Sequence, residues 1–478
     1  MTRARIATKV SRSARWAFVE SLASAGASAL TVILMARFLG PADFGRAGLA
    51  VALTAIPQAA LLGGMPDALV RARSAHTRLS DAMFWTTSAI GVGTALLAGI
   101  VGLIVAYGIG DPLLGALVAV QGLTGIGLGL AAAPTGLLLR KLRTRALVQR
   151  TVIAKAAALV AGVGAAAAGA GPWALIVSNL VMQGAAAVQL LATMRTPRLR
   201  IADPALADTL RLGILGGAQG SLGTLTTRGF VVAYGAVYGP NAVGLFNFAL
   251  RLVEESCGIV ITALRRVTVT SFAAAKRAGL DLKPLFHRGT GIIAYVSAPL
   301  FLGLAAVAPD AVPLVFGPQW IEAVPILQLM LGLWVIRATR MLVNAIMVVD
   351  GRQRAMVMFG LAGVLATAAA FALSLPFGRD ATLVAYAATL TGVIFGGRAF
   401  ARSTGIGALA QLGAGAKPIL FALAMAGVVT WLRLGPLADA SPADRLAATI
   451  VAGGIVFAGL ALAFDRAGVR DVFRALRR

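Results

Sequence analysis

Apolar windows of about twenty residues recur along the whole of this chain. They fall near 16–38, 46–66, 82–107, 113–138, 150–169, 172–193, 210–237, 245–270, 289–308, 323–349, 356–375, 381–397, 418–434 and 446–464. Each is long enough to cross roughly 30 Å of hydrocarbon. A soluble fold cannot hide so many: 59% of the 478 residues are apolar and 13% charged, against about 25% charged in soluble domains. Lipid offers no hydrogen bonds, so every spanning segment must satisfy its own backbone as a helix. The expected fold is an all-α integral membrane protein with about fourteen transmembrane helices.

The net charge of +25 raises nucleic acid as a partner, but the placement of the charges argues against it. They sit in short clusters between windows, such as "RARSAHTR" (71–78), "RKLRTR" (140–145) and "RTPRLR" (195–200), with no interleaved aromatics to stack bases. Alternate connections divide them: the set containing both termini holds 31 Lys and Arg, the opposite set four, and eight fall inside windows. The positive-inside rule places both termini of this multi-pass membrane protein in the cytoplasm. The basic leading stretch "MTRARIATKVSRSARWAF" runs into about 25 apolar residues, which reads as a first span and not a cleaved leader.

Several chemistries find no support. Connections of at most about 20 residues leave no room for a soluble catalytic domain, and no G-x-x-x-x-G-K-[ST] loop is present. "GIGALA" (405–410) lacks the preceding strand of a dinucleotide site. The single Cys257 allows no intramolecular disulfide, and His76 and His287 fall in separate connections, where solvated side chains are the default. No cofactor, metal site or enzymatic activity is expected.

One short pattern occurs twice. "RFLGPADFG" (37–45) and "AVYGPNAVG" (236–244) share Gly-Pro, three residues, then Gly, at an offset of 199 residues. Proline ends one helix and glycine permits a tight reversal. The offset corresponds to six helices with their loops. An even number preserves orientation, so the halves are expected to be parallel repeats related by an axis along the membrane normal. The expected divisions are an N-lobe at 1–206 (helices one to six), a C-lobe at 207–402 (seven to twelve), and a C-terminal pair with a basic tail at 403–478.

Ionisable residues inside spans mark candidate function. In the eighth window, "LFNFALRLVEESCGIVITALRR", Asn247, Arg251 and Glu255 are spaced i, i+4, i+8, with Glu254 beside them. This polar face could fix packing through an Arg251–glutamate pair, or line a hydrophilic pathway, and its length favours the pathway. The first window repeats the theme with Glu20, Ser24, Ser28 and Thr31. Arg228 lies in "LTTRGFVV", and Arg337, Arg340 and Asn344 share a face of the tenth. Arg228, Arg251, Arg337 and Arg340 are candidates for an anion site, because guanidinium binds phosphate oxygens bidentately. Lys155 is expected to snorkel to the interface. Gly213/Gly217 and Gly216/Gly220 are spaced for close helix packing.

The strings "ARFLGPADFGRAGLA", "DALVRARSAHTRLSDAMFW", "APTGLLLRKLRTR", "GAGPWALIVSNLVMQ", "GPNAVGLFNFALRL" and "APLFLGLAAVAPDAVPLVFGPQWIEAVPILQLMLG" together resemble bacterial Wzx-type polysaccharide exporters of the multidrug/oligosaccharidyl-lipid/polysaccharide superfamily, from about residue 16 to about 360. The resemblance implies two six-helix lobes forming a V around a cationic cavity, with two further helices. It implies flipping of undecaprenyl-diphosphate-linked oligosaccharide repeat units by alternating access, for exopolysaccharide, lipopolysaccharide or O-antigen-type synthesis. Its implied partners are that lipid-linked oligosaccharide, membrane lipids, and the pathway's polymerase and glycosyltransferases. The four arginines would then hold the diphosphate, while Asn247, Glu20, Glu254 and Glu255 contact sugar hydroxyls or carry protons. One departure is "TTRGF", where relatives often carry an acidic residue. Rival readings are a cation-coupled multidrug exporter, for which only Glu20 supplies a deep carboxylate in the first lobe, and a peptidoglycan-precursor flippase. A membrane glycosyltransferase or polymerase would need a catalytic domain or long outer loop that the chain lacks.

Overall fold

The computed structural model describes residues 26–72, 76–141, 143–193, 197–200, 203–279, 281–339, 341–349, 353–390, 407, 413 and 415–477. These are helical nearly throughout: α1 (Gly26–Phe38), α2 (Pro41–Leu62), α3 (Met65–Arg71), α4 (Thr77–Leu103), α5 (Pro112–Gly122), α6 (Thr124–Arg140), α7 (Thr144–Ala167) and α8 (Trp173–Ala192). A long element, Leu206–Arg277, follows. Its Gly239 has φ 80° and ψ 174°, which no helix contains. The rings of Phe230 and Phe246 lie 5.3 Å apart, whereas sixteen residues of one straight helix span about 24 Å. The element is therefore a hairpin with arms α9 (206–238) and α10 (240–277). Then come α11 (Leu282–Phe316), α12 (Val324–Thr339), α13 (Met341–Val349), α14 (Gln353–Ser374), α15 (Arg379–Leu390), α16 (Ala416–Leu434), α17 (Pro442–Phe464) and α18 (Arg466–Arg477).

Eleven helical stretches among the described residues are long and apolar enough to cross a membrane, fewer than the fourteen expected. α1 is short among described residues, the hairpin α9–α10 is continuous by hydrogen bonding and gives one stretch, Gly220–Gly258, and the second half of the 381–397 window lies outside the described residues. The 289–308 window is corrected outright. α11 runs through Pro299, Pro309 and Pro313 to Phe316, so "APDAVPLVF" is helix and not loop. Proline is tolerated in membrane helices because neighbours re-satisfy the freed carbonyls.

By packing, the chain divides into two compact units, Met1–Asn247 and Phe248–Arg478. In the first, the two Gly-Pro turns touch each other reciprocally. A Cβ on Gly45 would overlap the carbonyl oxygen of Pro240, and one on Gly244 would overlap that of Pro41. Each glycine of one copy thus sits on the proline of the other, the mark of a local two-fold relation. At the other end of α2, Gly64 packs against the backbone of Gly213, Gly216 and Gly217, as the small-residue spacing anticipated, while Gly220 has open space around it. Met65, Leu69, Leu79, Met83, Phe84 and Leu137 form a buried cluster nearby. Arg140 closes α3 by donating to the carbonyls of Leu69 (3.1 Å), Val70 (3.3 Å) and Ala72 (2.6 Å), so a charge in a basic loop also caps a helix C-terminus. His76 does likewise at the start of α4: its Nδ1 accepts from Leu79 N at 3.1 Å and its Nε2 lies 3.7 Å from Asp203. The histidine is exposed, as expected, and caps the helix as well.

In the second unit, Phe248 stacks on buried Trp320 with ring centroids 4.1 Å apart. Asp310 of α11, 7% exposed, forms ion pairs with Arg445 of α17, whose Nη2 lies 2.7 Å away, and with Arg433 of α16, whose Nε lies 4.0 Å away. These three charges tie the last two spans to α11. Asp310→Asn strands two arginines in a mostly buried position, and removing one partner of such a pair costs about 3 kcal/mol or more. We expect the thermal midpoint of the detergent-solubilised variant to fall by several degrees. Arg445→Gln in the same chain should recover part of the loss, since the two residues share one interaction.

Candidate functional site

The sequence candidates fall on α9, α10 and α12. In the first unit, Arg228 on α9 is half-buried and makes no ion pair or hydrogen bond with a described residue. Asn247 on α10 presses its amide onto Gly48 of α2, a contact that leaves no room for a Cβ there. Its Nδ2 is buried with no hydrogen-bond partner among the described residues, a costly arrangement unless something else supplies an acceptor.

In the second unit, Arg251 and Glu255 on α10 are half-buried and Glu254 is exposed. Arg337 lies on α12, and Cys257 of α10 is buried. Arg337 also lays its guanidinium over the ring of Trp334, Cζ 4.3 Å from the centroid, a cation–π contact that holds the fork in place. Glu20 and Arg340 lie outside the described residues.

Neutral polar residues buried in the first unit escaped the sequence reading. Gln58 of α2 donates to Thr124 at 3.1 Å, Thr124 donates to the carbonyl of Gln121 at 2.6 Å, and Asn179 of α8 reaches Gln121 Oε1 at 3.4 Å. The Nζ of Lys155 donates to Ser28 of α1 at 2.5 Å, a partner the sequence did not show, which puts a cation beside the hydroxyl row of the first helix. The signal was available as single Gln, Asn and Lys residues within apolar windows, but one amide scarcely lowers the hydropathy of a window. Chemically, the set offers amide and hydroxyl donors and acceptors suited to uncharged polar groups.

The second unit also has an open-sided apolar groove of about 720 Å³ between α11, α12 and α16, lined by Leu302, Ala306, Gln328, Leu423, Gly427 and Trp431 among others. Elsewhere in this unit, Asp465 accepts from the Tyr295 hydroxyl (2.7 Å) and from Gly468 N (3.2 Å), with Lys417 at 3.9 Å. Burial works to raise this carboxyl, but the two hydrogen bonds and the lysine prevail and hold it below the usual aspartate value. A depressed folded value contributes stability above the unfolded pKa, lost as pH falls through the folded one. These contacts are therefore at full strength at neutral pH.

Taken together, these features define a polytopic helical membrane protein with amides, hydroxyls and cations buried among its spans. The chain belongs to the polysaccharide biosynthesis protein family, whose model matches residues 34–325. It is similar to the succinoglycan biosynthesis transport protein ExoT of Rhizobium meliloti (strain 1021), 26% identical over 68% of this chain and 66% of that one. It also resembles the lipopolysaccharide biosynthesis protein WzxC of Escherichia coli (strain K12), 20% identical over 71% and 70% respectively. The chain spans about two thirds of the length of these relatives. In fold it is like the lipid II flippase MurJ in an inward closed conformation, with TM-score 0.72 and 12% identity over 98% of this chain and 99% of that one. An inward-facing multidrug resistance transporter of the MATE family gives TM-score 0.60 and 15% identity over 84% of this chain and 95% of that one. The resemblance to Wzx-type polysaccharide exporters, read from the sequence, is borne out.

Proposed function

We propose that this protein flips undecaprenyl-diphosphate-linked oligosaccharide repeat units across the bacterial inner membrane, by alternating access between six-helix lobes at 1–206 and 207–402, with the pair at 403–478 alongside. The observation that carries the reading is Arg228, a half-buried arginine in a membrane helix with no partner among the described residues. Such a charge is costly in hydrocarbon unless an anion joins it, and a lipid diphosphate is an anion that enters from the membrane. Arg251, Arg337 and Arg340 complete the diphosphate contacts. Asn247, Glu20, Glu254 and Glu255, with the Gln58–Asn179 network, meet sugar hydroxyls, and the apolar groove beside α16 takes the polyprenyl chain. The transport role named for ExoT agrees with this, and the buried amides suit sugars better than cationic drugs.

Mass spectrometry of lipids released from the purified protein tests the cargo. Undecaprenyl-diphosphate glycans are expected, and their consistent absence from native-membrane preparations would count against the proposal. Orientation has its own test. Single cysteines at Ala42, Asn241 or Gln319, in a Cys257→Ala background, should react with an impermeant thiol reagent in intact cells. Those at Ala75, Thr144 or Gly279 should not, and the reverse pattern would place the termini outside.

A further inference from the structure

The last helix, α18, has two faces with different partners. α17 ends at Phe464, and Asp465 breaks the helix with φ −149° and ψ 59°. Asp465 then holds Tyr295 of α11, and Asp471, six residues on, accepts from Arg288 Nη2 of α11 at 2.7 Å. Tyr295 and Arg288 are seven residues apart, about 10 Å along their helix, against about 9 Å between the two aspartates. α18 therefore lies side by side with the start of α11, running the opposite way. The approach is close: a Cβ on Gly468 would sit 2.5 Å from the Tyr295 ring.

Both acidic residues of 465–478 are engaged on that face. The other face carries Arg466, Arg470 and Arg474, all exposed and spaced i, i+4, i+8. None forms an ion pair with a described residue. The Nε groups of Arg466 and Arg470 donate to the carbonyls of Leu462 and Arg466, which orients both side chains back along the helix towards the span. Phe473 flanks the row and is 61% exposed. The row starts two residues beyond the last residue of a span. At 1.5 Å per residue its arginines fall within about 15 Å of the hydrocarbon edge, at and just beyond the headgroup layer.

We propose that this face of α18 is a binding surface for anionic phospholipid headgroups, with the arginine row on the phosphates and Phe473 beside it. It rests on the membrane placement of α17 alone, so it stands or falls independently of the cargo. Charge complementarity selects the occupant: three unpaired cations and an aromatic on one face match an acidic lipid surface. A purely topogenic tail needs positive charge but no helical register, whereas this surface needs both.

Hydrogen–deuterium exchange on the full-length protein in nanodiscs separates the two. In phosphatidylcholine discs doped with phosphatidylglycerol, amides 466–474 should exchange roughly tenfold more slowly than in pure phosphatidylcholine. The difference should vanish in about 0.5 M salt and in R466Q/R470Q/R474Q, while the triple lysine variant keeps it. Exchange across 442–464 reports that each variant is folded. The pair V469R/R470V, which preserves charge and composition but moves one arginine off the row, should weaken the effect. Equal exchange in both lipids, a salt-independent difference, or full protection in the glutamine variant would overturn the proposal.

Discussion

Gly244→Ala is expected to force the two Gly-Pro turns apart and to reduce export at least tenfold. The added methyl would overlap the carbonyl oxygen of Pro41, a backbone atom that cannot swing aside as a side chain can. Overpacking of this kind costs about 1–3 kcal/mol, and every 1.4 kcal/mol shifts a two-state population tenfold. Gly45→Ala meets Pro240 in the same way and should give the same phenotype. The double variant should be little worse than either single one, because separating the turns once relieves both overlaps. Cysteine at Asn241 should label faster in these variants than in the parent if the turns close one side of the pathway. Unchanged labelling together with unchanged export would mean that the contact bears no relation to the transport cycle.

The second large effect concerns Arg251, on the polar stripe of α10. Arg251→Gln is expected to abolish export while the protein reaches the membrane at normal levels, because the cargo phosphates lose a fixed charge in a medium that screens little. Arg251→Lys should retain partial activity, keeping charge without the bidentate fork. If glutamine and lysine variants both export like the parent, Arg251 does not meet the anion. If neither accumulates in the membrane, its part is in packing.

The helical membrane architecture was legible because lipid leaves few alternatives, and the two Gly-Pro segments were legible as turns because glycine and proline mark where a chain can reverse. Their mutual contact was not, since spacing along a sequence carries no distance between copies. The extension of α11 was hidden for a physical reason. Pro309, Asp310 and Pro313 read as a loop by local rules, yet Arg445, 135 residues later in the chain, neutralises Asp310 and lets the helix continue. Arg140, read as part of a topogenic cluster, and His76, read as a loop histidine, also cap helices through contacts that the sequence does not display. The charged and the amide members of the candidate site differ in how visible they are in the sequence. An arginine in an apolar window stands out, whereas Gln58, Gln121 and Asn179 become visible as a group only when α2, α5, α6 and α8 pack together.

The most direct measurement is transbilayer movement itself. Purified protein in proteoliposomes, loaded with a labelled undecaprenyl-diphosphate oligosaccharide in one leaflet, should expose the label to a membrane-impermeant probe far faster than protein-free liposomes do. A potential positive on the destination side should accelerate the movement, since each charge crossing 100 mV is worth about 2.3 kcal/mol. Arg251→Gln protein in the same liposomes should be no faster than the protein-free control. A rate for the parent protein equal to that of empty liposomes, with the same preparation shown to be folded and to bind the lipid, would contradict the account.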